Sequence, residues 1–420
     1  MTVSAETIRG RVSVSRARGL GILMLALAAV ALLFFGLRAE AGQRAVFGLG
    51  ENAPDLGLPV QAAVWIVGGL LAFLGGIQLV RGFGRRTYVI LGFAIGMFVL
   101  ASLTYAARDQ SLNLVSTLNS TLLRAVPLTL GAMSGVLCER SGVINIAIEG
   151  MFLTAAFTGS IVGSAAGSLW AGLLGGVVVG GILGWLLAVL SIRYRVDQIV
   201  AGTVINILAL GLTSFLSARL LQQNQALNNP GRFQVIELPL LSDIPIAGSI
   251  LFRNNVFVYL MFGLIALLAV ALFRTRWGLR VRAVGEHPLA ADTLGIRVLY
   301  ERYRSVIFGG MMAGLGGAFF TLGSVGRFDE NMTAGRGFIA LAAMIFGRWH
   351  PVGAFGAALV FGFADSLQTK LAILGTGIPS EFLLMAPYLA TILVVAGLVG
   401  RARPPAADGK PYVKAGGSGG

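Results

Sequence analysis

The sequence predicts an all-α polytopic membrane protein with about ten to twelve transmembrane helices. The chain has 420 residues, of which 56% are hydrophobic and only 12% are charged. Soluble domains carry about twice that charged fraction. Most of the 59 glycines lie inside apolar runs, as is common in packed membrane helices. Together, these observations exclude an ordinary soluble fold.

The net charge of +14 fits a membrane topology better than nucleic-acid binding. The positive residues cluster beside the ends of apolar segments, as the positive-inside rule expects. Cys138 is the only cysteine, which excludes an internal disulfide and a thiolate metal cluster. The two histidines, His287 and His350, cannot build a metal site on their own. We therefore expect no metal, no cofactor and no nucleic-acid partner.

The first 110 residues contain three predicted membrane spans. Arginines before the first span place the N-terminus inside. Residues 39–41 resemble a signal-peptide cleavage site, but the preceding apolar run is rather long, and we favour a retained helix. The three spans cover about residues 20–36, 58–80 and 88–106.

The rest of the chain alternates long apolar runs with polar connections. Pro127 predicts a kinked or tightly packed helix, and residues 222–253 form the longest polar stretch, which we expect outside. The basic tail 401–420 is predicted to be flexible, with both termini cytoplasmic. The spans are predicted at about residues 122–138, 151–166, 169–192, 199–221, 256–273, 305–323, 352–367 and 382–399.

The apolar run Phe338–Phe346 is different because it has only nine residues. A helix needs roughly 20 residues to cross a hydrocarbon core of about 30 Å. Glycines bound the run on both sides, so the sequence predicts a half-helix or a short helix enclosed by protein.

The stretch from Arg282 to Ile296 is predicted to be a short cytoplasmic helix between flanking arginines. Pro288 suits its first turn, Glu286 or His287 suits its cap, and Gly295 suits a left-handed stop. A helix of about two turns is not stable alone in water. Another surface must therefore hold it.

Polar residues inside apolar segments are the first candidates for a solute path. Asn145 and Glu149 are four residues apart and are predicted to share one face of a helix that starts after Gly142. Glu149 could cap this helix or pair with Arg140. Alternatively, Asn145 and Glu149 could border the path.

Asn206 and Asp365 leave the same choice between a structural hydrogen bond and a contact with solute. Asn331, Thr333 and Arg336 precede the short apolar run on the expected outer side. These three could belong to a solvated loop, or they could form the outer mouth of the path or contact an external partner.

No hydrolytic or redox motif appears in the sequence. A phosphate-binding loop, the His-Glu-x-x-His pattern and the Gly-x-Ser-x-Gly pattern are all absent. We therefore expect that the chain is not an enzyme, and that any ATP is bound by a partner.

Three stretches, residues 139–151, 283–296 and 335–351, resemble the permease subunits of ABC importers for branched-chain amino acids, simple sugars and nucleosides. The form ERSGVINIAIEG in the first stretch is most similar to nucleoside permeases. The resemblance covers roughly residues 115–400. It implies a type II importer fold, like that of the vitamin B12 permease, in a bacterial plasma membrane.

The same resemblance implies partners. They are a second related permease in a heterodimer, ABC ATPase subunits on the cytoplasmic side, and an extracytoplasmic solute-binding protein. The stretch 282–296 then corresponds to the coupling helix that contacts the ATPase. The small Ala290 and Ala291 are expected to let it sit close in an ATPase cleft. The matching residues are Glu286, Ala290, Ala291, Asp292 and Gly295.

The resemblance also divides the chain. Residues 1–110 are expected to be extra transmembrane helices, and 111–400 to form the permease core with a coupling loop at 275–302. The expected function is the translocation path of an ATP-driven importer for nucleosides or simple sugars. The alternative is an ion-coupled secondary transporter, which would depend on the carboxylates of Glu149 and Asp365.

Overall fold

The computed structural model describes residues 14–50, 54–373 and 403–414, and α-helices dominate these ranges. Within them, ten helices are long and apolar enough to cross a membrane, which confirms the polytopic all-α prediction. The predicted span at 382–399 lies outside the described residues. The helices are α1 Val14–Ala29, α2 Val60–Val80, α3 Thr87–Ala106, α4 Leu114–Arg140, α5 Ile148–Ala166, α6 Leu169–Ala188, α7 Gln198–Leu216, α8 Val256–Arg274, α9 Arg276–Glu286, α10 Pro288–Thr293, α11 Val298–Ala318, α12 Arg336–Phe346 and α13 Pro351–Ile373.

The three N-terminal helices pack on one another and carry a small sheet that the sequence did not predict. Strand β1 (Arg44–Gly48) pairs antiparallel with β2 (Leu56–Pro59) and parallel with β3 (Ser111–Asn113). Strand β3 runs directly into α4. The sheet therefore joins the N-terminal helices to the rest of the molecule. A second, two-stranded sheet pairs β4 (Ile236–Glu237) with β5 (Arg253–Asn254).

Helices α4, α5, α6 and α11 form the centre of the bundle. Every residue of α4 from position 125 to 139 is buried, and Pro127 lies within this continuous helix. Helices α6 and α11 touch backbone to backbone, because a Cβ on Gly180 would lie 2.4 Å from the Gly310 carbonyl oxygen. Glycine allows such close approach where larger side chains would separate the helices.

The short apolar helix is confirmed as α12, which has 11 residues. At about 1.5 Å per residue it is roughly 16 Å long, about half of a hydrocarbon core. It packs against α4, α5 and α13, so protein encloses it.

Helix α5 starts later than predicted. The chain leaves α4 through a turn at Gly142 and continues without helical structure until Ile148. Asn145 therefore lies outside the helix, and the prediction that it shares a helix face with Glu149 is wrong. The periodic spacing did not reveal that this stretch is not helical.

The predicted short helix and its ends are confirmed in α10. The His287 side chain accepts a hydrogen bond from the Ala290 amide at 3.1 Å, and Gly295 has φ +79°. A separate helix, α9, precedes it and was not predicted. Because α8 to α11 bring many arginines together here, we call this the arginine-rich end of the bundle.

The expectation of a flexible tail is corrected for residues 403–414. The Ala407 amide donates to the Gly285 carbonyl at 2.9 Å, and Arg302 donates to the Lys410 carbonyl at 3.0 Å. Tyr412 packs in a cluster with Val284, Ala291 and Val298. We call residues 403–414 the docked segment. Its few apolar side chains find a groove made by distant parts of the chain, which its composition could not indicate.

Candidate functional site

Glu149 connects the first turn of α5 to the start of α12. One carboxylate oxygen accepts hydrogen bonds from the Thr333 hydroxyl at 2.6 Å and the Gly335 amide at 2.8 Å. The other oxygen accepts from the Gly337 amide at 2.6 Å. Glu149 therefore caps the neighbouring helix α12. The sequence had suggested that it caps its own helix or pairs with Arg140.

This arrangement follows from the electrostatics of helix ends. The first amides of a helix have no partner within the helix, and its N-terminus attracts negative charge. Glu149 supplies that charge to α12 across the bundle. The two backbones also come very close, because a Cβ on Gly337 would lie 2.4 Å from the Glu149 nitrogen. A glycine is therefore required at position 337.

Two asparagines stabilise the start of α5. Asn206, on α7, accepts from the Gly150 amide at 2.8 Å and donates to the Ile146 carbonyl at 2.9 Å. It thus forms the interhelical bond that was one of its two expected roles. Asn145 is fully buried and donates to the Ser134 hydroxyl at 3.1 Å.

The start of α5 lies well inside the bundle. Gly131 on α4 faces Ile148 and Ala340, the early part of α5 and the middle of α12. Gly131 is nine residues from the end of α4 at Arg140, which corresponds to roughly 14 Å. Helices interrupted at such depth are a frequent feature of transporter binding sites.

A charged cluster lies farther along α4. Asp365 on α13 forms an ion pair with Arg124, and its carboxylate is 3.8 Å from Arg336. Arg124 also donates to the Thr369 hydroxyl at 3.0 Å. Sequence analysis selected Asp365 and Arg336 separately but missed Arg124. A single arginine just inside a predicted span was the available signal.

A cavity of about 360 Å³ opens beside this cluster. The Arg336 guanidinium lies 5.8 Å from the centre of the Phe320 ring. Aromatic faces beside charged and hydroxyl groups suit a solute that has both a flat ring and polar substituents. The residues that line the cavity include Ser120, Arg124, Phe319, Phe320, Asp329 and Arg336.

A second cavity, of about 890 Å³, shares Val325 and Asp329 with the first. It lies between the end of α7 and the loop before α12. The three predicted mouth residues separate here. Asn331 is exposed on the loop with φ +53°, whereas Thr333 is fully buried against Glu149. Arg336 lines the smaller cavity.

The five predicted coupling residues also divide by exposure. Glu286, Ala290 and Gly295 are exposed, and Asp292 is partly buried. Ala291 is only 2% exposed and faces its own chain, so the expectation that both alanines approach an ATPase is corrected for Ala291.

Leu289 and Leu294, which sequence analysis missed, are 51% and 81% exposed on the same short stretch. Both leucines lie outside the candidate membrane spans, and neighbouring exposed apolar side chains in such a place are typical of a surface that contacts another protein. At the same end, the Glu286 carboxylate accepts from the Ala406 amide at 3.2 Å. Among the described residues, no three His, Cys, Asp or Glu side chains group as metal ligands would.

Residues 117–400 match the family described as branched-chain amino acid transport system / permease component. The chain is 43% identical over 304 residues to the guanosine ABC transporter permease protein NupQ of Bacillus subtilis, covering 70% of this chain and 95% of NupQ. It is 39% identical over 320 residues to the nucleoside ABC transporter permease protein NupC of Lactococcus lactis, covering 72% and 99%.

A third relative is the putative glucose ABC transporter permease protein TsgC13 of Haloferax volcanii, 32% identical over 60% of this chain and 77% of TsgC13. No solved structure matches the chain significantly. The family match covers well over half of the chain, and ten apolar helices accompany it. The chain therefore belongs to the branched-chain amino acid transport system permease family and is a multi-pass membrane permease of an ABC importer.

Proposed function

We propose that this permease forms the translocation path of an importer for nucleosides, driven by ATP hydrolysis on a separate subunit. The observation that carries the proposal is the 43% identity to a guanosine permease along 95% of that protein. The cavity supports it, because phenylalanine rings can stack on a base while charged and hydroxyl groups bind a ribose.

The solute passes through the cavity, past Arg124, Asp365 and Arg336, towards the junction of α5 and α12 at Glu149. The junction supports this route because a single carboxylate connects the starts of both helices. A small rotation of either helix would break or re-form its hydrogen bonds. The junction of α5 and α12 is then the gate of the path, and Glu149 is the residue that positions its two helices.

The ATPase binds at the arginine-rich end, where α10 is the coupling helix. Its exposed face, Leu289, Ala290 and Leu294, is apolar and small enough to enter a cleft. The arginines of this end support a cytoplasmic location, with the N-terminus on the same side.

The second permease is a related chain rather than a second copy. Lactococcus lactis has two proteins named as nucleoside permeases, NupC and NupB, and they are 39% and 23% identical to this chain. Haloferax volcanii likewise has TsgC13 and TsgB13, at 32% and 28% identity. Pairs of this kind support a heterodimer. A solute-binding protein delivers the nucleoside from outside.

The test is uptake by vesicles that contain the chain with its second permease, ATPase and binding protein. We expect accumulation of labelled guanosine with ATP inside, and none with a non-hydrolysable ATP analogue. Excess unlabelled nucleosides should compete, whereas glucose and leucine should not. Competition by glucose alone would instead assign the chain to sugar import.

The alternative is an ion-coupled transporter, and the same vesicles separate the two functions. Uptake that persists without ATP and depends on a proton or sodium gradient would overturn the proposal. The carboxylates argue against this outcome, because Glu149 already accepts three hydrogen bonds and Asp365 contacts two arginines.

A further inference from the structure

A basic pocket of about 330 Å³ lies at the arginine-rich end, away from the cavities described above. It is formed by the turn after α6, the start of α11 and the last part of the docked segment. Its walls include Arg193, Arg195, Leu299, Tyr303, Tyr412 and Lys414.

The pocket is strongly cationic. Arg193, Arg195 and Lys414 are all exposed, and within the described part of the chain none of the three forms a salt bridge. Nearby Asp197 is already engaged, because its carboxylate accepts from the Ile199 and Val200 amides at 2.9 and 3.0 Å. Three cations around one cavity attract an anion, and guanidinium groups suit phosphate oxygens in particular.

The position of the pocket indicates where the anion comes from. Arg193 ends the membrane span Leu169–Arg193, and Leu299 lies at the start of the span Val298–Val325. Lipid headgroups lie at this level of a membrane. Leu299 is 44% exposed and Tyr194 is 66% exposed, so apolar and aromatic side chains border the cations. A phospholipid presents the same sequence of charged phosphate and apolar chain.

We propose that this pocket binds the phosphate group of an anionic phospholipid. Arg193, Arg195 and Lys414 contact the phosphate oxygens, and Leu299 contacts the upper acyl chain. Free phosphate shares the charge but lacks the apolar part, so the experiment distinguishes the two sources.

The site also depends on the docked segment, because Tyr412 and Lys414 form one of its walls. Tyr412 packs against Ala291 of α10 at the same time. A lipid in the pocket therefore holds the docked segment in place beside α10. The short helix would then be stabilised by the membrane as well as by its own chain.

The test measures retention of labelled phosphatidylglycerol by the purified full-length chain in detergent, with phosphatidylcholine as the neutral comparison. The variant combines Arg193→Gln, Arg195→Gln and Lys414→Gln. A matched control removes three exposed arginines of the same end that do not line the pocket, by Arg274→Gln, Arg276→Gln and Arg280→Gln.

We expect the wild-type chain to retain phosphatidylglycerol over phosphatidylcholine, and the pocket variant to lose about tenfold or more of that retention. The control should retain most of it. Millimolar inorganic phosphate should compete only weakly. If both variants lose retention of phosphatidylglycerol equally, the lipid is attracted to positive charge in general, and the proposed site is wrong. If inorganic phosphate displaces the lipid completely, the assignment to a lipid is wrong.

The three substituted residues are exposed, so the variant should fold, and size-exclusion profiles with thermal unfolding check this. Lys414→Glu alone provides a second test through charge reversal. It should weaken retention of phosphatidylglycerol and leave retention of phosphatidylcholine unchanged. Unchanged retention of both lipids would exclude a role for the docked segment in the site.

Discussion

At the scale of single residues, Glu149 shows how one carboxylate connects two helices. Its neighbours in the sequence suggested a local cap or a local ion pair. The structure instead gives it three partners from residues 333–337. Charge-assisted hydrogen bonds of this kind are about twice as strong as neutral ones. Glu149 is therefore central to the stability of the junction.

Replacing Glu149 with alanine should destabilise the junction of α5 and α12. The change leaves the Gly335 and Gly337 amides without their acceptor, which should cost about 2–3 kcal/mol. Chemical unfolding of the purified chain measures this, and uptake should fall at the same time. Glu149→Gln should be milder, because its amide oxygen can still accept from Thr333 and Gly335.

The matched control is Glu330→Ala, which removes an exposed carboxylate from the nearby loop. It should change the free energy of unfolding by less than about 0.5 kcal/mol. If Glu149→Ala is equally neutral, the hydrogen bonds to α12 contribute nothing measurable and the proposed gate loses its support.

At the scale of elements, α10 is more closely integrated into its own chain than its sequence indicated. One of its two central alanines is exposed and the other is buried. Its exposed surface continues through Leu289 and Leu294. One face of this six-residue helix therefore packs against its own chain, and the other face is free to contact a partner.

Ala291→Leu should lower the stability of the permease itself, whereas Ala290→Leu should not. Ala291 packs against Val284, Val298 and Tyr412, so three extra carbons should cost about 1–3 kcal/mol through overpacking. Ala290→Leu should keep the unfolding transition and weaken only binding of the ATPase. Thermal unfolding of the permease and co-purification of the ATPase separate the effects. Identical behaviour of the two variants would contradict the assigned faces.

Docking of residues 403–414 should depend on pH through Asp408. Burial raises the pKa of Asp408 from 3.8 to about 6, and interactions with Glu139, the Gly409 backbone and Arg302 offset part of this increase. The docked state therefore favours the protonated acid. Docking should be strongest below pH 4, weaken as the pH rises to about 6, and stay constant above that.

Hydrogen exchange of residues 403–414 at pH 4 to 8, corrected for the intrinsic rates, measures this dependence. Asp408→Asn removes the titrating group and should give protection that no longer changes between pH 4 and 6. Asp243→Asn, on an exposed loop, is the control and should behave like the wild-type chain. An unchanged profile in Asp408→Asn would show that another group sets the pH dependence.

At the scale of the whole molecule, we infer that the N-terminal helices are an addition to a permease core. The match to NupC spans 99% of that protein but only 72% of this chain, and the family match begins at residue 117. Every residue that we place in the candidate path lies between 114 and 373. Contacts between the two parts include the β1–β3 pairing and the packing of Leu367.

Deleting residues 1–106 should lower the stability of the permease but preserve ATP-driven uptake. The deletion removes β1 and exposes Leu112, which is buried in one cluster with Ala45 and Phe47 of that strand. Uptake per assembled complex, compared with the full-length chain, is the measurement. A truncated complex that assembles with its ATPase yet transports nothing would assign the N-terminal helices a direct part in transport.

The sequence by itself determined the fold class, the family and the residues at which the short helices begin and end. These features depend on local composition and on residues near each other in the chain. Long apolar runs require helices in a membrane whatever their neighbours. Pro288, His287 and Gly295 define α10 within a few residues. The nine-residue run was likewise too short to span, and it became α12.

Only the tertiary structure decided which polar groups meet. Glu149 and Thr333 are 184 residues apart, and Arg124 and Asp365 are 241 apart, so spacing along the chain could not pair them. The docked segment needed a groove that α9, α10 and α11 form together, and its Tyr412 packs with the buried Ala291. Local pattern determines where helices form, but hydrogen bonds and packing between helices determine where a solute can pass.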